Sequence, residues 1–172
     1  TKIEHKIAVK IVQNADITLE DVRIPASNHL PGTSSFRDTN VILEQSRAGL
    51  AWQSVGAQMA IFDVARRYAL ERRQFGRPLA GFQLTQDHLV RIAANTTASV
   101  GIAHRMSQLR AQGTATMGQA AMAKLKTSQM ARESAALGRQ LMGGNGILVD
   151  REMGKIFSDV EAIFTYEGTA EV

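Results

Sequence analysis

Proline is scarce in this chain, and its positions limit what the chain can become. The three prolines stand at positions 25, 31 and 78. The stretch from Asp38 to about Arg73, and everything after Leu84, therefore run without the residue that breaks a helical hydrogen-bond ladder. In the first stretch Val41, Gln45, Ala48, Trp52, Val55, Met59, Phe62 and Ala69 recur at helical spacing, and Asp38 or Thr39 is expected to cap its start. Gly49 and Gly56 are expected to let another helix pack closely. Beyond Gly76 and Pro78 a second helix is predicted from about Leu84 to Gln112, with Leu89, Ile92, Thr96, Val100, Ala103, Met106 and Leu109 inward. Gly113-Thr114 turns the chain. Thr116 caps a third helix running to Met142, with Met122, Leu125, Ser128, Ala135 and Leu141 on its buried side. Asp150 is expected to cap a shorter fourth helix over about 151–158, and a fifth starts at Thr169. Met59, Met122, Met130 and Met142 read as core. Long helices with short connections make an all-α, up-down four-helix bundle.

The first residues follow a different period. Ile7, Val9 and Ile11, then Ile17, Leu19, Val22 and Ile24, fall within two predicted strands over 6–13 and 16–24, with Asn14-Ala15-Asp16 as the turn between them. Two strands alone are marginal in water. They are expected to belong to a sheet over 1–24 whose other strands are missing. A loop with Pro25, Pro31 and Gly32 makes a linker over 25–37, and the helical domain spans 38–172. The chain opens on Thr1 and stops at Val172 where a helix should begin, so it is expected to be a piece of a longer polypeptide.

Composition narrows the chemistry. At 172 residues and 44% apolar the chain is long enough to bury a core. It holds no cysteine, which excludes a disulfide framework and thiolate metal sites. The four histidines show no ligand spacing, and no metal is expected. No apolar run reaches membrane-spanning length. A net charge of +4 with scattered arginines suits an anionic ligand, although ordinary domains share it.

Three segments carry candidate chemistry. Gln140-Leu-Met-Gly-Gly-Asn-Gly146 reads as a helix end, with glycines that also let a backbone approach a flat ligand. Phe164-Thr-Tyr-Glu-Gly-Thr169 sets one carboxylate, Glu167, between aromatic and glycine neighbours; a lone acid so placed suits a base, or simply stands in the first turn of a following helix. Arg72-Arg-Gln-Phe-Gly-Arg-Pro-Leu-Ala-Gly-Phe-Gln83 offers guanidinium forks, a ring face and amides suited to a pyrophosphate, or equally a helix end and turn. Arg47, beside Ser46 in the first helix, forms a salt bridge or meets an anion.

In this order and spacing the three segments resemble the C-terminal part of the acyl-CoA dehydrogenase family, and the resemblance covers nearly the whole chain. It implies FAD-dependent oxidation of the Cα–Cβ bond of an acyl-CoA thioester. Glu167 is implied as the base for the α-proton, Gly168 and Arg47 as substrate contacts, and Thr169 as an FAD contact. Arg72, Gln74, Phe75 and Gln83, with Gln140, Leu141, Met142, Gly143 and Gly144, match contacts to the FAD of a neighbouring subunit. One branch of the family places its base at the position of Ser46; serine here favours the conventional arrangement. Glu171 departs from the glutamine common in the family, as acidic residues do in the glutaryl-CoA branch. Ser35-Phe-Arg-Asp-Thr39, Ser46-Arg47, Ala51-Trp52 and Phe164-Thr-Tyr-Glu167 are most similar to glutaryl-CoA dehydrogenases and short-chain acyl-CoA oxidases. The implied partners are an acyl-CoA, further copies in a homotetramer and, for a dehydrogenase, an electron-transfer flavoprotein, with no nucleic acid or membrane. The implied location is the cytoplasm, or the mitochondrion or peroxisome of a eukaryote. An oxidase passing electrons to oxygen and a non-catalytic oligomerisation bundle stand as alternatives.

Overall fold

The computed structural model describes residues 1–171, and four helices make up its bulk: α1 (Asn40–Glu71), α2 (Gln83–Ala111), α3 (Met117–Leu141) and α4 (Glu152–Thr165). The first three pack on one another and α4 packs on α3 and α1. The five residues between α2 and α3 allow only an antiparallel return, which gives the up-down order.

The helix ends show where local signals act. Thr116 forms a capping box: its hydroxyl accepts from the Gln119 amide at 3.3 Å while the Gln119 side chain accepts from the Thr116 amide at 2.9 Å. At α1 the cap sits further upstream than expected. Ser35 caps a 3-10 turn over Phe36–Thr39, whereas Thr39 is already helical and caps nothing. The Asp38 carboxylate accepts from the Ser34 and Ser35 amides at 2.7 and 2.8 Å, and these bonds hold its pKa below the ordinary value. Asp150 gives no cap, and α4 continues past 158 to Thr165, with the Ser158 hydroxyl donating to Gly154 O at 3.1 Å. Residues 169–171 are not helical; any continuation of the expected fifth helix lies outside the described residues.

The core falls into two clusters. One gathers Ile61, Ala65, Ile92, Leu137, Met142, Met153 and Val160; the other gathers Ala48, Ala51, Val55, Ala103, Met106, Ala120 and Ala123. The predicted stripes need correction. Val41, Trp52, Met59, Val100 and Met122 are exposed, with Met59 at 58% and Met122 at 60%, while Met130 and Met142 are buried. On α1 the buried line runs through Ala48, Ala51, Val55, Gln58, Ile61, Ala65 and Ala69. Closely packed helices select small side chains at their contacts, so residue size misleads about which face is inward. Gly49 and Gly56 face open space, and the close helix approach occurs instead at Gly138, where a Cβ would stand 2.8 Å from Met153 and 2.9 Å from Ile61.

The strands predicted over 6–13 and 16–24 do not form. Two-residue strands β1 (Lys2–Ile3) and β2 (Asn14–Ala15) pair antiparallel instead, so Asn14-Ala15 is a strand and not the turn. Ile7, Ile11, Ile17 and Leu19 are exposed. An alternating segment needs neighbouring strands to satisfy its backbone, and among the described residues this stretch pairs only through β1 and β2.

Candidate active site

The structure brings Glu167, Gly168, Thr169 and Arg47 to one cleft of about 220 Å³, with Lys124 and Glu171 also on its wall. Glu167 sits just beyond the end of α4 with φ of +62°, the left-handed region that costs a non-glycine residue roughly 1–2 kcal/mol. Gly168 follows at φ of +97°, where glycine meets no such penalty. A strained backbone of this kind persists only when its surroundings over-determine it, and four side chains do so here.

Ser46 Oγ donates to the Glu167 carboxylate at 2.5 Å. Arg47 Nε donates to the Glu167 carbonyl at 2.9 Å, and Nη1 lies 3.4 Å from the Met117 sulfur. Arg47 thus holds the backbone of Glu167 and not its carboxylate. Lys124 Nζ donates to the carbonyls of Phe164 at 2.7 Å and Gly168 at 2.6 Å. Tyr166 OH donates to Gln53 Oε1 at 2.6 Å. Burial raises the Tyr166 pKa, and the nearby Glu167 and Asp159 charges raise it further. Lys124 is 4% exposed. Burial depresses its pKa, as does the Arg47 charge, while Glu167 and Glu171 work the other way. The result is a half-buried carboxylate held by a hydroxyl, flanked by two cations and open to the cleft on one side. Such a group can take a proton from a molecule seated there.

Lys124 and Gln53 escaped the sequence reading. For Lys124 a signal existed: it shares a helix face with Ala120, Ala123, Thr127, Ser128 and Ala131, all buried, so a cation stands in the middle of a small-residue stripe.

The remaining candidates lie elsewhere. Arg72 ends α1, Gln83 opens α2, and Gln74 and Phe75 belong to a hairpin of β3 (Arg73–Gln74) and β4 (Arg77–Pro78). Its two-residue loop, Phe75-Gly76, has φ of +50° and +81°, a type I′ signature that leaves the Phe75 ring 90% exposed. Gln140 and Leu141 end α3; Met142 is buried, and Gly143 and Gly144 open a 3-10 turn over Gly143–Ile147. Of the three glycines expected to turn this helix end only Gly143 has positive φ; Gly146 lies against the Arg139 carbonyl. The two segments share one end of the bundle, where Asn145 Nδ2 donates to Tyr68 OH at 2.8 Å. Arg47 and Arg72 are both on or at the end of α1, and at about 1.5 Å per residue they stand roughly 37 Å apart along its axis. The Glu167 cleft and this second group of residues are therefore separate within one chain.

Fold and site together define an all-α bundle domain with one half-buried carboxylate on a cleft at its edge. The family described as "Acyl-CoA dehydrogenase, C-terminal domain" matches residues 36–172, and the chain belongs to that family. It is similar to the caffeyl-CoA reductase-Etf complex subunit CarC of Acetobacterium woodii, 30% identical over 99% of this chain and 45% of that protein. It is also similar to the mitochondrial short-chain specific acyl-CoA dehydrogenase of Rattus norvegicus, 31% identical over 99% of this chain and 42% of that one. Among solved structures, a glutaryl-CoA dehydrogenase from Mycobacterium smegmatis in complex with FADH2 superposes with a TM-score of 0.95 at 26% identity, covering 99% of this chain and 44% of that one. The chain thus spans less than half the length of each of these proteins.

Proposed function

We propose that this chain is the base-bearing domain of an FAD-dependent enzyme that oxidises the Cα–Cβ bond of an acyl-CoA thioester, with Glu167 removing the α-proton. The observation that carries this reading is the over-determined, left-handed backbone of Glu167, fixed by side chains from α1 and α3. An assembly bundle has no use for a carboxylate carried on a strained backbone beside an open cleft. Gly168 keeps the backbone next to the base free of a side chain, and Arg47 lends positive charge to the thioester's surroundings. FAD, when bound, supplies the acceptor for the β-hydride. A short-chain or glutaryl-like acyl group is the substrate class, supported by the similarity to proteins named for both.

The second group of residues fits a flavin dinucleotide. Arg72, Gln74 and Gln83 are exposed, and the side-chain bonds at this end of the bundle use Arg73, Gln86 and Asn145 instead. Arg72 suits the pyrophosphate, and Phe75 offers a bare ring face. Gln140–Gly144 completes that surface, while Thr169 serves the flavin beside Glu167. The distance along α1 is longer than one extended dinucleotide, which supports a site completed by a neighbouring copy in a homotetramer. Electrons then leave to an electron-transfer flavoprotein, in keeping with the name of the Etf-complex relative. No helix among the described residues is long and apolar enough to cross a membrane; the cytoplasm, or the mitochondrion or peroxisome of a eukaryote, is the proposed location.

The test is Glu167→Gln in the flavin-loaded protein, mixed anaerobically with a short-chain acyl-CoA while the flavin band is followed. The variant keeps shape and loses the base, so acyl-CoA binding is retained and flavin bleaching slows by about 10²–10⁴-fold. Bleaching at the unmutated rate overturns the assignment.

A further inference from the structure

Lys124 is the only charged side chain that is buried among the described residues, and no carboxylate pairs with it. A buried ammonium is costly unless its protons are satisfied. Two of them are, by backbone carbonyls that bracket the proposed base: Phe164 O at 2.7 Å and Gly168 O at 2.6 Å. Phe164 lies in the last turn of α4, where carbonyls lack helical partners and the helix dipole favours a cation. Gly168 follows Glu167. One ammonium therefore ties the end of α4 to the residue beyond the base, and the backbone between them takes the left-handed conformation at Glu167.

We propose that Lys124 is a positioning residue, which clasps the Phe164 and Gly168 carbonyls and so sets the backbone that aims the Glu167 carboxylate into the cleft. The inference rests on the reading of Glu167 as the base. Lys124 does not touch the substrate in this role; it acts through the turn.

A double-variant cycle in the flavin-loaded protein tests it. Lys124→Met replaces the buried cation with an apolar chain of similar length and leaves both carbonyls without their donor. Acyl-CoA affinity and flavin absorbance are expected to stay, while flavin reduction and exchange of the thioester α-proton with solvent deuterium both slow by about 10–100-fold, the scale of a misplaced catalytic group. In the Glu167→Gln background, Lys124→Met is expected to cost nothing further. Lys124→Met at full rate, or an equal loss in both backgrounds, overturns the clasp. If Lys124→Met yields no flavin-loaded protein, Lys124→Gln, whose shorter amide cannot span both carbonyls, is read by the same cycle. Full-rate Glu167→Gln would overturn the base assignment and the clasp with it; a slow Glu167→Gln with a full-rate Lys124→Met overturns the clasp alone.

Discussion

Ser46 and Glu167 stand 121 residues apart in sequence and 2.5 Å apart in space, the hydroxyl of the first donating to the carboxylate of the second. The bond joins the first helix of the bundle to the turn after the last. Its acceptor is a charged group, so it is worth more than a neutral pair.

Replacing that hydroxyl tests the bond by the sign of a stability change. Alanine has the higher helix propensity, so Ser46→Ala would stabilise α1 slightly if the hydroxyl were idle. Because the hydroxyl serves a carboxylate, Ser46→Ala is expected to destabilise by about 1–2 kcal/mol. Urea unfolding reads it, and a rise in the midpoint contradicts the bond.

Glycines separate by what surrounds them. Gly49 lies within α1 facing open space, so Gly49→Ala is expected to gain up to about 1 kcal/mol. At Gly146 an added methyl meets the Arg139 carbonyl, and Gly146→Ala is expected to lose about 1–3 kcal/mol or more. Thermal midpoints moving in the same direction for both would refute this account of the α3 end.

Glu133 sets part of the acid limb of stability. Its carboxylate accepts from Arg91 at 2.6 Å and from Asn95 at 3.2 Å. These bonds, Arg91 first, lower its pKa from 4.5, and the Arg91 and Lys126 charges add to them. A group with a lower pKa folded than unfolded holds fewer protons folded, so its contribution is present above about 4.5 and is lost as pH falls through the folded value. Glu133→Gln is expected to lower stability near neutrality and to flatten its fall below that pH. A denaturation series from pH 3 to 7 checks both; an unchanged acid slope in the variant contradicts the assignment.

The exposed apolar side chains bear on assembly. Met59 lines one cleft with Phe62 and Val100, and Met122 another with Ile102, Met106 and Leu109. Contiguous apolar surface of this kind marks interfaces. Light scattering of the flavin-loaded protein is expected to give a tetramer, and Met59→Lys with Met122→Lys to weaken it. A monomer at micromolar concentration, with flavin bound, rules the shared site out.

The helices were legible because their determinants are local. Scarce proline, the 3.6-residue period and the Thr116 capping box act within a few residues of each other, and α1, α2 and α3 emerge within a few residues of their predicted bounds. The strands over 6–13 and 16–24 did not, since alternation only makes a segment ready to pair and pairing needs neighbours. Which face turns inward was decided by tertiary packing: helix contacts favour Ala51, Ala65 and Ala131 over Trp52, Met59 and Met122, and no local rule carries that preference. Glu167 could be singled out as a residue from its own neighbours. Its left-handed backbone, the Ser46 bond and the Lys124 clasp could not, because each joins α1 or α3 to the end of α4, and such contacts exist only once the bundle has closed.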